Sequence, residues 1–193
     1  MSSLPTLLIQ TLQHFSKLSE TELAQMEESM EQKELKKGEY FLQQGQVCNY
    51  LGFLEQGIMR VFHVANDKEY TSYFNFGERN PFVSSFSSFI SRKSSQESIH
   101  ALEDCRLLMI SYQDLEKLYA GSFAFQKLGR MISEYNYTLA VKRIYSLQHF
   151  TAQERYNELL HIYPNLINQV PHHYVASYLG ITPESLSRIR KEK

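Results

Sequence analysis

Between Leu35 and Ser111 the chain is interrupted by glycine at positions 38, 45, 52, 57 and 77, and only short runs fit between the breaks. Those runs, at 39–42, 51–54, 58–64 and 70–74, read as strands. Asn66-Asp67 lies between the last two, and both residues tolerate the left-handed backbone that a tight hairpin needs. Residues 103–111 read as a closing strand. Many short strands separated by turn signals predict an antiparallel barrel or sandwich.

The flanks are different. Up to about Lys33 the chain reads as helical: Ser19-Glu20-Thr21-Glu22 is a capping box, and Leu23, Met26 and Met30 recur at helical spacing. From Phe123 to Gln148 there is no proline and one glycine, which predicts a long helix. On it Phe125, Leu128, Ile132, Tyr135 and Leu139 are spaced 3-4-3-4, as in a coiled-coil seam. A helix lying on its own barrel would show the same stripe. One this long exceeds what a small barrel can cover, so the seam is expected to face a second copy. A second capping box, Thr151-Ala152-Gln153-Glu154, opens another amphipathic helix that Pro164 ends.

Composition limits the function classes. The 193 residues carry 20 Lys+Arg and 21 Asp+Glu, so the net charge is only −1. The charge is nevertheless segregated: residues 124–193 hold nine basic and five acidic side chains, and the remainder 11 and 16. A basic rear points to a polyanion as partner for that segment alone. Cys48 and Cys105 are the only cysteines, too few for a disulfide framework or a four-thiolate metal site. The start, Met1-Ser2-Ser3-Leu4-Pro5, lacks a signal peptide's basic and apolar regions, and no run approaches the ~20 apolar residues of a membrane span. A soluble cytoplasmic protein with no membrane partner is expected.

The most informative segment is 170–191. Val175, Ala176 and Leu179 form the apolar face of a short helix, and Gly180 supplies a left-handed C-cap. Thr182 is an N-cap, with Pro183 at the first helical position. Ile181, Leu186 and Ile189 point inward, leaving Glu184, Ser185, Ser187, Arg188, Arg190 and Lys191 outside. This is the pattern of a helix-turn-helix, whose second helix enters the major groove. Arg188 suits a bidentate pair with guanine, and Glu184 suits a cytosine amine. An ordinary helical hairpin with a solvated face is the competing reading. On it the chain is a ligand-binding or protein-interaction module whose helical C-terminus binds no DNA.

The run Ala176…Leu179-Gly180-Ile181-Thr182…Ser187-Arg188-Ile189-Arg190-Lys191 resembles the DNA-reading motif of the cyclic-AMP-receptor-protein and fumarate-nitrate-regulator (CRP/FNR) family of bacterial transcription regulators. Leu35-Lys36-Lys37-Gly38-Glu39-Tyr40, Gln44-Gly45 and Leu54-Glu55-Gln56-Gly57-Ile58-Met59-Arg60-Val61 are similar to the family's β-roll. The resemblance implies an α+β fold: a cyclic-nucleotide-binding-like jelly roll with flanking helices (1–122), a dimerisation helix (123–149) and a helix-turn-helix domain (150–193). It also implies a homodimer on a palindromic site in double-stranded DNA, with RNA polymerase as a further partner.

The departures bear on the effector. In nucleotide-binding relatives a Gly-Glu pair holds the ribose, and an Arg about ten residues later, followed by Ser or Thr, holds the phosphate. Here Ser84-Ser85 and Ser95-Gln96 occupy those positions. A cyclic phosphate buried without a cation is an uncompensated charge, so cyclic nucleotide is disfavoured and no cofactor is expected. A pocket would be lined by Phe82, Ser84, Ser85, Phe86, Ser95 and Gln96, with Arg92 and Lys93 as the nearby cations. The family's iron–sulfur branch needs an N-terminal cysteine cluster that is missing. A cupin-type metal site needs a His-x-His cluster, whereas His63 and His100 are isolated and His172-His173 adjacent. No metal site and no enzyme are expected. With no β-hairpin wing before Lys193, phosphate grip is expected from the His172-His173-Tyr174 turn and Lys142-Arg143.

Overall fold

The computed structural model describes residues 4–77 and 79–191. The chain forms two compact units: Met1–Val61 with Phe74–Tyr135, and Phe62–Tyr73 with Asn136–Lys193.

The first unit opens with α1 (Thr6–Phe15) and α2 (Glu20–Glu28). The Ser19 capping box closes as the sequence requires: the Glu22 carboxylate accepts the Ser19 N–H at 2.8 Å, and the Ser19 hydroxyl accepts the Glu22 N–H at 3.3 Å. Helix does not continue to Lys33. Met30–Leu35 is strand β1, because six residues of antiparallel ladder against residues 105–110 outweigh a helical spacing carried by three apolar side chains. There follow β2 (Tyr40–Leu42), β3 (Tyr50–Gln56), β4 (Ile58–Ala65), β5 (Lys68–Phe76), β6 (Phe82–Val83), α3 (Phe86–Ser91), β7 (Ser98–Ala101), β8 (Cys105–Ser111) and α4 (Tyr112–Gly121). The strands form two four-stranded sheets, in the orders β1-β8-β3-β6 and β2-β7-β4-β5. Together they are the expected antiparallel roll.

Phe53, Leu54, Met59, Val61, Ile99 and Leu107 make its core, each at most 1% exposed. Burying such side chains contributes about 1.5–3 kcal/mol apiece. Gly57, between β3 and β4, has φ +103°, and a Cβ there would lie 2.5 Å from Cys105 Sγ and 2.9 Å from the Asp104 carbonyl oxygen. Only glycine permits that reversal.

Helix α5 (Phe123–His149) starts in the first unit and ends in the second. The second unit also holds the tip of the β4–β5 hairpin, where Asn66 and Asp67 have φ of 49° and 57° and His63 stacks on Tyr70 at 5.2 Å. Its other helices are α6 (Ala152–Ile162), α7 (Leu166–Gln169), α8 (His172–Leu179) and α9 (Pro183–Lys191). They close around Tyr156, Leu159, Leu166, Val175, Ala176, Leu179 and Leu186, all buried. Among the described residues no helix is long and apolar enough to cross a membrane.

Candidate functional site

In the first unit the segment from β6 to β7 folds into a cassette in which several buried hydroxyls bond one another. Ser84, Ser85 and Ser95 are buried. The Ser95 hydroxyl lies 2.9 Å from the Ser85 hydroxyl and 2.8 Å from the Glu97 carbonyl, and it accepts the Glu97 N–H at 3.0 Å. Ser85 in turn donates to the Glu97 carboxylate at 3.3 Å. Ser85 and Ser95, two of the expected pocket residues, therefore hold each other, and Ser85 also holds a carboxylate. Arg92, left-handed at φ 58°, is bonded nearby. It donates to the Cys48 carbonyl at 2.7 Å, the Phe89 carbonyl at 3.1 Å and Asn49 Oδ1, and it packs 4.3 Å from the Tyr112 ring centroid. Lys93 and Gln96 are exposed and Phe86 half-buried.

Phe82 faces elsewhere. It lines an apolar cavity of about 40 Å³ with Leu8, Leu12, Met26, Leu115 and three apolar side chains of α5: Phe125, Leu128 and Ile132. That placement corrects the expected seam. Phe125, Leu128 and Ile132 are covered by this chain's own α1, α2 and α4, so they are unavailable to a second copy. The periodicity of α5 records a buried face without recording which surface buries it. Tyr135 is exposed yet meets the Phe15 ring edge-on at 5.6 Å, and Leu139 is half-buried. The apolar residues that α5 leaves most exposed are Phe123, Tyr137, Ile144 and Tyr145.

In the second unit α8 ends at Gly180, whose φ of 68° turns the chain, and α9 starts three residues on. The Thr182 hydroxyl accepts the Ser185 N–H at 3.2 Å, the expected N-cap. Leu186 is fully buried, whereas Glu184, Ser187, Arg188, Arg190 and Lys191 are exposed and Ser185 half-buried. These six residues thus share the outer side of one helix. Arg188 donates to the Ser185 hydroxyl at 3.2 Å. Hydrogen bonds from its own amide and from Thr182 hold the Glu184 carboxyl below the ordinary glutamate value, with Arg188 adding to the effect. It stays an acceptor at neutral pH.

Several roles escaped the sequence. Arg143 is no phosphate grip: it packs 4.0 Å from the Tyr178 ring and donates to the Tyr178 carbonyl, and burial lowers its pKa. Arg155 donates to the Leu179 carbonyl at 3.0 Å. Both cap the C-terminal carbonyls of α8, where a cation also meets the negative end of the helix dipole. Glu97, two residues past Ser95, carries no sequence signal beyond its closeness to the expected pocket residues. Cys48 and Cys105 are free buried thiols, the latter pushed up to about 11 by desolvation. Among the described residues no group of three His, Cys, Asp or Glu side chains is arranged to hold a metal ion.

Residues 32–122 match the family model of the cyclic nucleotide-binding domain. No curated protein matches the chain at the sequence level. FixK2 from Bradyrhizobium japonicum superposes with a TM-score of 0.71 at 18% identity, covering 84% of this chain and 83% of its own. The c-di-GMP-responsive global regulator CLP of Xanthomonas campestris gives 0.68 at 15%, covering 90% and 91%. The catabolite activator protein of Thermus thermophilus gives 0.59 at 18%, covering 92% and 84%. At such identities the likeness is one of fold. The chain resembles the CRP/FNR regulators, with a cyclic nucleotide-binding domain fold at its centre.

Proposed function

We propose that the protein is a DNA-binding transcription regulator that works as a homodimer, and that it is not an enzyme. The observation that carries this reading is the α8–Gly180–α9 pair: its inner side chains are buried and its second helix turns Glu184, Ser185, Arg188 and Lys191 to solvent. On this reading α8–α9 is a helix-turn-helix and α9 enters the major groove. Arg188 and Glu184 read base edges, while Arg190 and Lys191 meet phosphates. The outer face of α5 supplies the dimer contact through Tyr137 and Ile144, 70% and 53% exposed, with Val141 between them.

Cyclic nucleotide does not fit the cassette. The Glu97 carboxylate sits against Ser85, a position that the family resemblance gives to the ligand, and the Arg92 guanidinium is committed to backbone carbonyls. Desolvating a phosphate beside a carboxylate is strongly unfavourable. The roll then serves as a scaffold, or as a sensor of something other than a cyclic phosphate. The test is binding to duplexes selected from random sequence. Arg188→Ala should cost about 1–3 kcal/mol on the selected site and relax one base preference, whereas Lys191→Ala should weaken all duplexes alike. Equal losses on selected and scrambled duplexes for both variants would refute these roles.

A further inference from the structure

The C-terminal turn of α8 is held by the two arginines on its carbonyls and, in addition, by one serine. Ser177 Oγ accepts the Thr71 N–H at 2.9 Å and donates to the Glu69 carbonyl at 3.2 Å. Glu69 and Thr71 lie two residues apart on β5, the edge strand of its sheet, so their backbone groups point the same way. A carbonyl at one residue and an N–H two residues on are the pair that a residue of a parallel neighbouring strand would engage. A hydroxyl supplies the donor and the acceptor from a single atom, which alanine cannot do and cysteine does only weakly. Ser177 therefore stands in for a strand residue on the outer edge of β5. The contact lies three residues before the Gly180 turn that sets the direction of α9.

We propose that Ser177 is a positioning residue for DNA reading: by fastening α8 to the exposed edge of the β4–β5 hairpin, it fixes the orientation of α9 and makes DNA affinity depend on the hairpin. The proposal rests on the regulator reading above. Thr71 is 4% exposed, so its amide is shielded as well as bonded.

The experiment uses the full chain with Ser177→Ala and Ser177→Thr, after circular dichroism confirms that both are folded. Hydrogen exchange at the Thr71 amide, measured without DNA, should accelerate about tenfold in Ser177→Ala and stay near wild type in Ser177→Thr. Affinity for a duplex selected with the wild-type protein should fall about 5–10-fold in Ser177→Ala, be largely restored in Ser177→Thr, and stay unchanged for a scrambled duplex of equal length. Unaltered Thr71 exchange in Ser177→Ala would overturn the latch. Faster exchange with unchanged affinity would overturn its positioning role. A wild-type chain that bound no duplex would overturn the regulator reading and this role with it, and the DNA-free exchange measurement would tell that failure apart from loss of the latch.

Discussion

Replacing Arg92 by alanine separates a structural cation from a ligand-binding one. The guanidinium is bonded to the carbonyls of Cys48 and Phe89 and to Asn49 Oδ1, and it lies over Tyr112. A hydrogen bond from a charged donor contributes about 1.5–3 kcal/mol, and the contact with a tyrosine face about 0.5–2 kcal/mol. The bonds share one group and are not additive, so the net loss should be about 2–4 kcal/mol. With a urea m-value of about 2 kcal/mol/M, the unfolding midpoint should fall by about 1–2 M. Lys93→Ala, at an exposed neighbour, should change stability by less than ~0.5 kcal/mol. Arg92→Gly loses the same contacts but relieves the left-handed backbone at φ 58°, recovering about 1 kcal/mol, and should fall between the two. Equal midpoints for Arg92→Ala and Lys93→Ala in urea melts followed by circular dichroism would refute the reasoning and free Arg92 for a ligand.

Tyr137→Glu with Ile144→Glu should give folded monomers in sedimentation, whereas Leu128→Ala, inside the first unit, should cost about 2–5 kcal/mol of stability. A double variant that stays dimeric would move the contact off the outer face of α5. Burial, then Arg190 and His173, lower the His172 pKa below its ordinary 6.5. The unfolded chain therefore takes up the proton first as pH falls through about 6.5. The stability of the C-terminal helices is complete above that pH and declines below it, and His172→Gln should flatten the decline in thermal melts. Cyclic AMP and cyclic GMP should give no calorimetric heat at micromolar concentration, and micromolar binding would show that the serines and Glu97 rearrange.

Much of this was legible in local chemistry. The Ser19 and Thr151 boxes, the Asn66-Asp67 hairpin, the Gly180 turn and the Thr182 cap form where the residues demand them, because each is decided by groups three or four positions apart. The outer face of α9 follows from the same short-range periodicity. What failed depended on distant partners. Met30 looked helical until β8 offered it a ladder, and Phe125, Leu128 and Ile132 showed an apolar stripe whose cover was α1, α2 and α4.

The order of residues along the chain set a strand-rich roll before a long helix and a glycine-turned helix pair, since glycine breaks, caps and hydrophobic period act within a few residues. It also determined that the charges expected of a cyclic-nucleotide site are replaced by serines. The tertiary structure alone decided that Glu97 closes on those serines, that Arg92 and Arg143 spend their donors on carbonyls, and that Ser177 completes the edge of β5. Each of those contacts joins groups whose choice of partner depends on which surfaces folding brings within hydrogen-bond reach, and no periodicity along the chain encodes that.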